Sequence, residues 1–162
     1  MISPAVSARP YIFALCFCLC AAPALAQFRT PQAAIVALYA SYGLGNDSSK
    51  TGFDDKLAAQ VFDKSLFDLY RKTLDSDDLD YDFFVQGNAF SLAKPIEIGA
   101  VTIEGTKAKV AAVLTQKFAD SAPVSHFVFS LVKTRDGWQI DDALYDGKSV
   151  RAVWEKTIKG AN

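Results

Sequence analysis

Alternation of apolar and polar residues along the second half of the chain constrains the fold more than any other feature. The alternation has a period of two and predicts four strands joined by short connections. Gly105-Thr106 suits a two-residue hairpin, and Asp136-Gly137 marks the tip of another. Strands with such short links pair with their neighbours in an antiparallel meander. The predicted strands are Ile96 to Glu104, Lys107 to Phe118, Val124 to Lys133, and Trp138 to Tyr145.

Helical patterns lie on both sides of these strands. Thr30-Pro31 supplies a capping residue and a first-turn proline for a helix that Gly43 to Gly45 would end. A second helical region runs from about Asp54 to Leu74 with a break near Asp63, and a last helix starts at Ser149. The sequence therefore predicts an α+β fold. N-terminal helices would pack in the concave face of a curved four-stranded antiparallel sheet, and a C-terminal helix would end the chain.

Strand register decides which side chains share a face, because a slip of one residue turns a whole set outward. One register brings the apolar residues of neighbouring strands onto the face that the helices would cover. Its hairpin pairs are Glu104 with Lys107, Phe118 with Pro123, and Lys133 with Trp138. The inward residues that it predicts are Val101, Ile103, Val110, Leu114, Phe127, Phe129, Leu131, Trp138, Ile140 and Leu144, with Asp142 among them.

Asp142 is the candidate site residue of this predicted inner face. A carboxylate between apolar neighbours must find hydrogen-bond donors or take up a proton, and this is a recognised signal of a functional site. Asp142 would be the polar handle of a pocket with aromatic walls from Tyr39, Tyr42 and Trp138. The alternative is structural: Asp142 accepts hydrogen bonds from Tyr39 or Tyr42, or from backbone N–H groups, and fixes the fold.

The opposite face of the predicted sheet carries an apolar row, here called the outer row, of Ile98, Val113, Val128 and Ala143. Such a row needs a cover. Either the last helix folds over it or a second copy of the chain does, since an apolar face on a small open sheet is a common cause of dimerisation. A homodimer through the outer row is therefore one of two expectations.

The first 26 residues have the pattern of a cleavable Sec-type export signal, with Arg9, an apolar run from Tyr11 to Ala22, and Ala24-Leu25-Ala26. Cleavage after Ala26 would leave 136 of the 162 residues, which suits a single α+β domain over 27–162 with no membrane span. We expect a periplasmic or secreted protein. A lipid anchor on Cys20 is disfavoured, because a leucine precedes it where a small residue is usual.

Composition excludes several functions. All three cysteines lie in the predicted signal, and the rest of the chain has 16 Lys and Arg against 18 Asp and Glu, with no basic stripe for nucleic acid. His126 is the single histidine, and the acidic segment from Asp75 to Asp82 lacks the glycine and glutamate of a calcium loop. No phosphate loop, dinucleotide glycine pattern or nucleophile elbow occurs. We expect no metal site and no cofactor.

Three short segments resemble one protein family. They are Pro31 to Ile35 continuing to Leu38-Tyr39, Asp82-Phe83-Phe84 followed by Gln86-Gly87-Asn88, and Gly137 to Asp142. These segments resemble exported bacterial proteins grouped as domain of unknown function 3828, which are similar in plan to the nuclear transport factor 2-like, cystatin-like cone. The resemblance implies helices in the hollow of a curved antiparallel sheet and an exported protein. It implies no particular activity.

These observations favour a non-enzymatic periplasmic module that binds a small or partly apolar ligand, or an envelope protein partner. Its ligand-binding residues would be Tyr39, Tyr42, Trp138 and Asp142. One alternative is a cone-fold isomerase- or dehydratase-like enzyme with Asp142 as general base and a tyrosine that polarises a carbonyl. A second alternative is an inhibitor or immunity-type protein that uses the acidic segment 75–82 as its contact surface.

Overall fold

The computed structural model of the chain describes residues 27–45, 49–50, 52–75, 81–87, 91–118 and 120–160. The predicted export signal and positions 76–80 of the acidic segment lie outside these residues. The helices are α1 (Pro31–Tyr39), α2 (Asp55–Val61), α3 (Lys64–Leu74) and α4 (Val150–Gly160). The strands are β1 (Gly43–Leu44), β2 (Ser91–Leu92), β3 (Glu97–Glu104), β4 (Lys107–Thr115), β5 (Val124–Thr134), β6 (Gly137–Tyr145) and β7 (Lys148–Ser149).

An antiparallel sheet in the order β3-β4-β5-β6-β7 forms the frame of the fold. The prediction of an α+β fold with an antiparallel sheet is confirmed, but the sheet has five strands and not four. The extra strand arises because Asp146 and Gly147 both have positive φ, at 49° and 71°, and reverse the chain so that β7 pairs with the end of β6. Strands β1 and β2 form a separate parallel pair.

Side-chain caps begin the first three helices. Each cap is an oxygen of Thr or Asp that accepts a backbone hydrogen bond in the first turn. These bonds run from Ala33 N–H to Thr30 (3.3 Å), from Leu57 N–H to Asp54 (2.8 Å), and from Leu66 N–H to Asp63 (2.9 Å). The predicted break near Asp63 is confirmed, because Phe62 is extended, at φ −89° and ψ 147°, between α2 and α3.

The helices cover one face of the sheet, here called the inner face. All four contact β6, and α3 also packs on α4. Trp154 of α4 lies against Phe62 and Phe84, with ring centroids 6.1 Å apart in both pairs. The last helix therefore lies among the other helices, and the expectation that it covers the outer row is wrong.

Most of the predicted register is present. The pairs at the β3–β4 and β5–β6 turns are as predicted. Between β4 and β5, Thr115 pairs with Val124, whereas the prediction paired Phe118 with Pro123. The two registers differ by two residues, so the inward and outward faces of these strands are unchanged.

A β-bulge in β6 reverses the alternation that the sequence predicts there. Ile140 pairs with Leu131 and Asp142 with Ser130, which leaves Asp141 as an extra residue. The extra residue moves each later side chain of β6 to the other face. Leu144, predicted to be inward, is 37% exposed, and Ala143, predicted in the outer row, is fully buried.

A second bulge, in β3 between Ile98 and Val101, has the same effect on the edge of the sheet. Ile98 pairs with the buried Ala112 and packs on the core, so its place in the outer row is also wrong. Ile103 was predicted to be inward, but its side chain is 54% exposed. The reason is its position on the edge strand, next to the hairpin turn. The outer face thus keeps Val113 and Val128 and gains Leu144.

Candidate functional site

Two tyrosines at the end of α1 form the centre of the candidate site. Tyr39 is the last residue of α1, Tyr42 follows in the turn, and both side chains are buried. Their ring centroids are 5.7 Å apart. The hydroxyl of Tyr39 donates to the carbonyl of Phe84 at 2.9 Å, and that of Tyr42 donates to a carboxylate oxygen of Asp82 at 2.7 Å. Both hydroxyl hydrogens are therefore used inside the protein.

Asp82 is the acid that the fold brings to these tyrosines. Its other oxygen accepts a hydrogen bond from the N–H of Phe84 at 2.8 Å. Burial raises the pKa of Asp82 above its ordinary value, although hydrogen bonds from Tyr42 and from the N–H groups of Phe84 and Val85 oppose this rise. Burial, followed by the charge of Asp82, raises the pKa of Tyr39 and Tyr42 well above the ordinary value. Both tyrosines are therefore protonated at neutral pH.

A tight turn over residues 82–87 carries this acid. The N–H of Asp82 donates to the carbonyl of Gly87 at 3.3 Å, and the reverse bond is 3.2 Å. Gln86 has a positive φ of 52°, and the side-chain amide of Gln116 donates to the carbonyl of Val85. Phe83, Phe84 and Val85 are buried. Asp82, the last residue of the acidic segment 75–82, therefore lies in the core, because these apolar residues draw it inward.

A cavity of about 270 Å³ opens beside the two tyrosines. Val36 and Leu44, each 48% exposed, form its mouth. Lys50 is the sole charged residue among the described residues that line it, and its ammonium donates to the carbonyl of Ala40 at 2.6 Å. The other apolar wall residues are Leu92, Pro95 and Ile96. The arrangement suits a small molecule that is mostly apolar.

Asp142 does not lie on the inner face, and the predicted orientation of this residue is wrong. Because of the bulge at Asp141, it pairs with Ser130 and not with Phe129. Its carboxylate accepts hydrogen bonds from the hydroxyl of Ser149 at 3.0 Å and from the N–H of Arg151 at 3.4 Å. Asp142 thus stabilises the N-terminus of α4, where a negative charge interacts favourably with the helix dipole.

Asp141, the bulged residue, forms an ion pair across three elements. Arg151 of α4 lies 2.7 Å from the carboxylate of Asp141 and 3.0 Å from that of Asp63. The same guanidinium donates to the carbonyl of Asp141 at 2.6 Å and to the hydroxyl of Ser65 at 2.7 Å. This half-buried network holds α3, α4 and the bulge of β6 together. This network was not predictable from the sequence, because its members are far apart along the chain.

Trp138, the fourth predicted site residue, lies on the inner face as expected and is buried. The ammonium of Lys133 lies 6.0 Å from its ring centroid, and the backbone N–H of Trp138 donates to the carbonyl of Phe28 at 2.9 Å. The cavity beside Tyr39 and Tyr42 is lined by neither Trp138 nor Asp142. The structure therefore brings together two of the four predicted residues.

A second cavity, of about 320 Å³, lies across the strands on the side away from the helices. Its charged residues are of both signs, so it selects no class of ligand by charge. They are Glu104, Lys107, Lys109 and Asp141.

Among the residues that the structure describes, no cluster of three or more His, Cys, Asp or Glu side chains could hold a metal ion. No helix in this part of the chain combines the length and the apolar character that crossing a membrane requires. No family model matches the chain, and no curated protein matches it. Fold and site together define an α+β protein with a small cavity walled by tyrosine and aliphatic side chains.

Proposed function

We propose that this protein is a non-enzymatic binding module, exported to the periplasm, that holds a small and mostly apolar molecule beside Tyr39 and Tyr42. The observation that carries the proposal is the cavity of about 270 Å³ at the end of α1, with its aromatic and aliphatic walls. Ligand sites are commonly concave, mostly apolar and equipped with few polar groups. The cavity has this composition.

The volume of the cavity sets the size of the proposed ligand. An apolar cavity of about 150 Å³ holds one benzene molecule. By that measure, the 270 Å³ cavity has room for on the order of ten non-hydrogen atoms. The proposed ligand is therefore a small molecule or one short chain, and not a folded partner.

Binding is proposed here in preference to catalysis because of where the carboxylates lie. The enzyme alternative uses Asp142 as general base, and that carboxylate accepts hydrogen bonds from Ser149 and Arg151 at the start of α4. Asp82 lies closer to the cavity tyrosines, but its two oxygens accept hydrogen bonds from Tyr42 and from the N–H of Phe84. A general base must lie within hydrogen-bond reach of the substrate proton. Neither Asp142 nor Asp82 lines the cavity.

The cone-like arrangement of the nuclear transport factor 2-like proteins remains part of the proposal. Two observations support it: the helices cover one face of an antiparallel sheet, and bulges in β3 and β6 bend strands of that sheet. The inhibitor alternative used the acidic segment 75–82 as its contact surface. Asp82 is not free for such a contact, because its carboxylate accepts a hydrogen bond from Tyr42. An envelope protein partner would instead meet the exposed outer face.

The proposal is tested with 1-octanol as a neutral apolar probe, by two-dimensional ¹H–¹⁵N NMR titration of the protein without its signal. Ala40 lies at the exposed end of α1 and lines the cavity, so Ala40→Trp would fill the cavity without disturbing the core. The matched control is Ala59→Trp, at an exposed position of α2. Octanol should shift the amide signals of residues 36–45 saturably in the wild type and in Ala59→Trp.

The expected loss of octanol binding in Ala40→Trp alone would tie the probe to this cavity. Two outcomes would contradict the proposal. One is the absence of saturable shifts in the wild type. The other is equal binding by both tryptophan variants, which would place the probe elsewhere.

A further inference from the structure

We propose that the ligand of this cavity is an amphipathic anion, a free alkanoate of about ten non-hydrogen atoms whose carboxylate pairs with Lys50 at the mouth. This inference rests on the proposed function and names the chemical class that the site would select. It depends on three features of the cavity: which polar groups are already used, where its charge lies, and how its walls continue away from that charge.

The tyrosine hydroxyls are not available as donors to a ligand. Tyr39 donates its single hydroxyl hydrogen to the carbonyl of Phe84, at 2.9 Å, and Tyr42 donates its own to Asp82, at 2.7 Å. Neither tyrosine therefore has a hydroxyl hydrogen left to donate to a ligand. A neutral polar ligand would lose hydrogen bonds to water on entering and would regain few of them here.

Lys50 supplies the single charge among the described residues that line the cavity. It is exposed, and one of the three ammonium hydrogens is directed to the carbonyl of Ala40, at 2.6 Å. Among the described residues no acceptor meets its other two hydrogens, which can bind an oxygen anion at the mouth. Asp82 is hydrogen-bonded to the hydroxyl of Tyr42 and does not line the cavity. The charge of the mouth thus favours an anion.

The walls suit a chain that starts at such an anion. Val36 and Leu44 flank the mouth, and Leu92, which is buried, lies deeper. Each methylene group of the ligand that these side chains remove from water should tighten binding about four-fold. An unbranched chain with one charged end therefore matches both the charge at the mouth and the apolar interior.

The test compares octanoate, 1-octanol and octylammonium by the same NMR titration at low ionic strength. Octanoate should bind about two-fold to five-fold more tightly than octanol, as expected for one exposed charge pair, and octylammonium should bind least tightly. In Lys50→Gln the advantage of octanoate over octanol should disappear, whereas Lys50→Arg should retain it. Lys56→Gln, at an exposed position of α2, is the charge-matched control and should bind like the wild type.

The outcomes separate this inference from the proposed function. If octanol and octanoate bind equally, or if Lys50→Gln lowers thermal stability without changing their ratio, then Lys50 only caps α1 and the inference is overturned, while the binding module stands. If none of the three probes causes shifts in residues 36–45 that Ala40→Trp abolishes, both proposals fail.

Discussion

At the scale of single residues, the surroundings of each carboxylate decide what it does. Asp82 is held among buried aromatic rings, and its charge has lost much of its hydration. Asp142 lies at the start of α4, where the N–H of Arg151 and the hydroxyl of Ser149 face it. Both acids have hydrogen-bond partners. The difference is that burial raises the pKa of Asp82, whereas Asp142 accepts its hydrogen bonds at the start of a helix.

Replacing Asp82 with asparagine should change how stability depends on pH. The pKa of Asp82 is raised in the folded protein, so the stability it contributes is fully present below its unfolded pKa, about 4. That contribution is lost as the pH rises through the folded pKa. The free energy of unfolding of Asp82→Asn minus that of the wild type should therefore increase with pH across this window and then level off. Urea denaturation of both proteins at several pH values measures this difference in the free energy of unfolding. A difference that stays constant or decreases with pH would contradict the raised pKa of Asp82.

Replacing Asp142 with alanine should destabilise the fold and leave the cavity intact. Loss of the helix-terminal acceptor should cost about 1–2 kcal/mol in the free energy of unfolding. The dissociation constant of octanol should not change, because Asp142 does not line the cavity. Glu155→Ala, at an exposed position of the same helix, controls for helix propensity. If Asp142→Ala has normal stability but no longer binds octanol, Asp142 contacts the ligand and this prediction is wrong.

At the scale of elements, alternation and capping could be predicted from the sequence, and the bulges could not. The helix starts depend on neighbours in the chain, such as Thr30-Pro31, and so do the hairpin turns. A bulge depends on how the residues of one strand pair with those of its neighbour. In β6 the residues after Ile140 satisfy either alternation, because Ala143 and Leu144 are both apolar. The sequence of β6 alone therefore does not show whether Ala143 or Leu144 faces the core.

Part of the candidate site could also be predicted from the sequence: its two tyrosines, but not the acid beside them. Helical spacing placed Tyr39 and Tyr42 together, since both belong to one local segment. Their acid was missed because Asp82 is 40 residues from Tyr42 along the chain and ends a run of acids. The useful signal was the apolar sequence Phe83-Phe84-Val85 directly after Asp82, which is buried and carries the acid inward.

The hairpin between β5 and β6 should be sensitive at Gly137. Its φ is 116°, and a Cβ atom there would lie 2.7 Å from the carbonyl oxygen of Phe28 and 2.8 Å from its nitrogen. Gly137→Ala should therefore lower the free energy of unfolding by about 3 kcal/mol, from backbone strain and the clash together. Gly147→Ala is the control, since its φ is 71° and a Cβ there meets nothing within 4 Å. Equal losses in both variants would mean that Phe28 moves aside.

At the scale of the whole molecule, the helices all pack on one face and leave the other face open. Val128 on the central strand β5 is 42% exposed, and Leu144, which pairs with it, is 37% exposed. Val124, further along β5, is 53% exposed. The bulge in β6 matters here, because it replaces the predicted Ala143 with the larger Leu144 on this face. Neighbouring exposed aliphatic residues on an open sheet are typical of an interaction surface.

We predict that two copies of the chain form a homodimer through this outer face, which carries Val124, Val128 and Leu144. The substitution Val128→Asp should dissociate the dimer. An aspartate at the centre of the face would meet its own copy or an apolar neighbour across a two-fold axis, where an unpaired charge is costly. Sedimentation equilibrium should give twice the chain mass for the wild type and the single mass for Val128→Asp. Ile103→Asp, also at an exposed strand position but outside this patch, should remain dimeric. A wild type that is monomeric throughout the concentration range would contradict the prediction, and so would a dimeric Val128→Asp. In the first case, the exposed valines would remain available to an envelope protein partner.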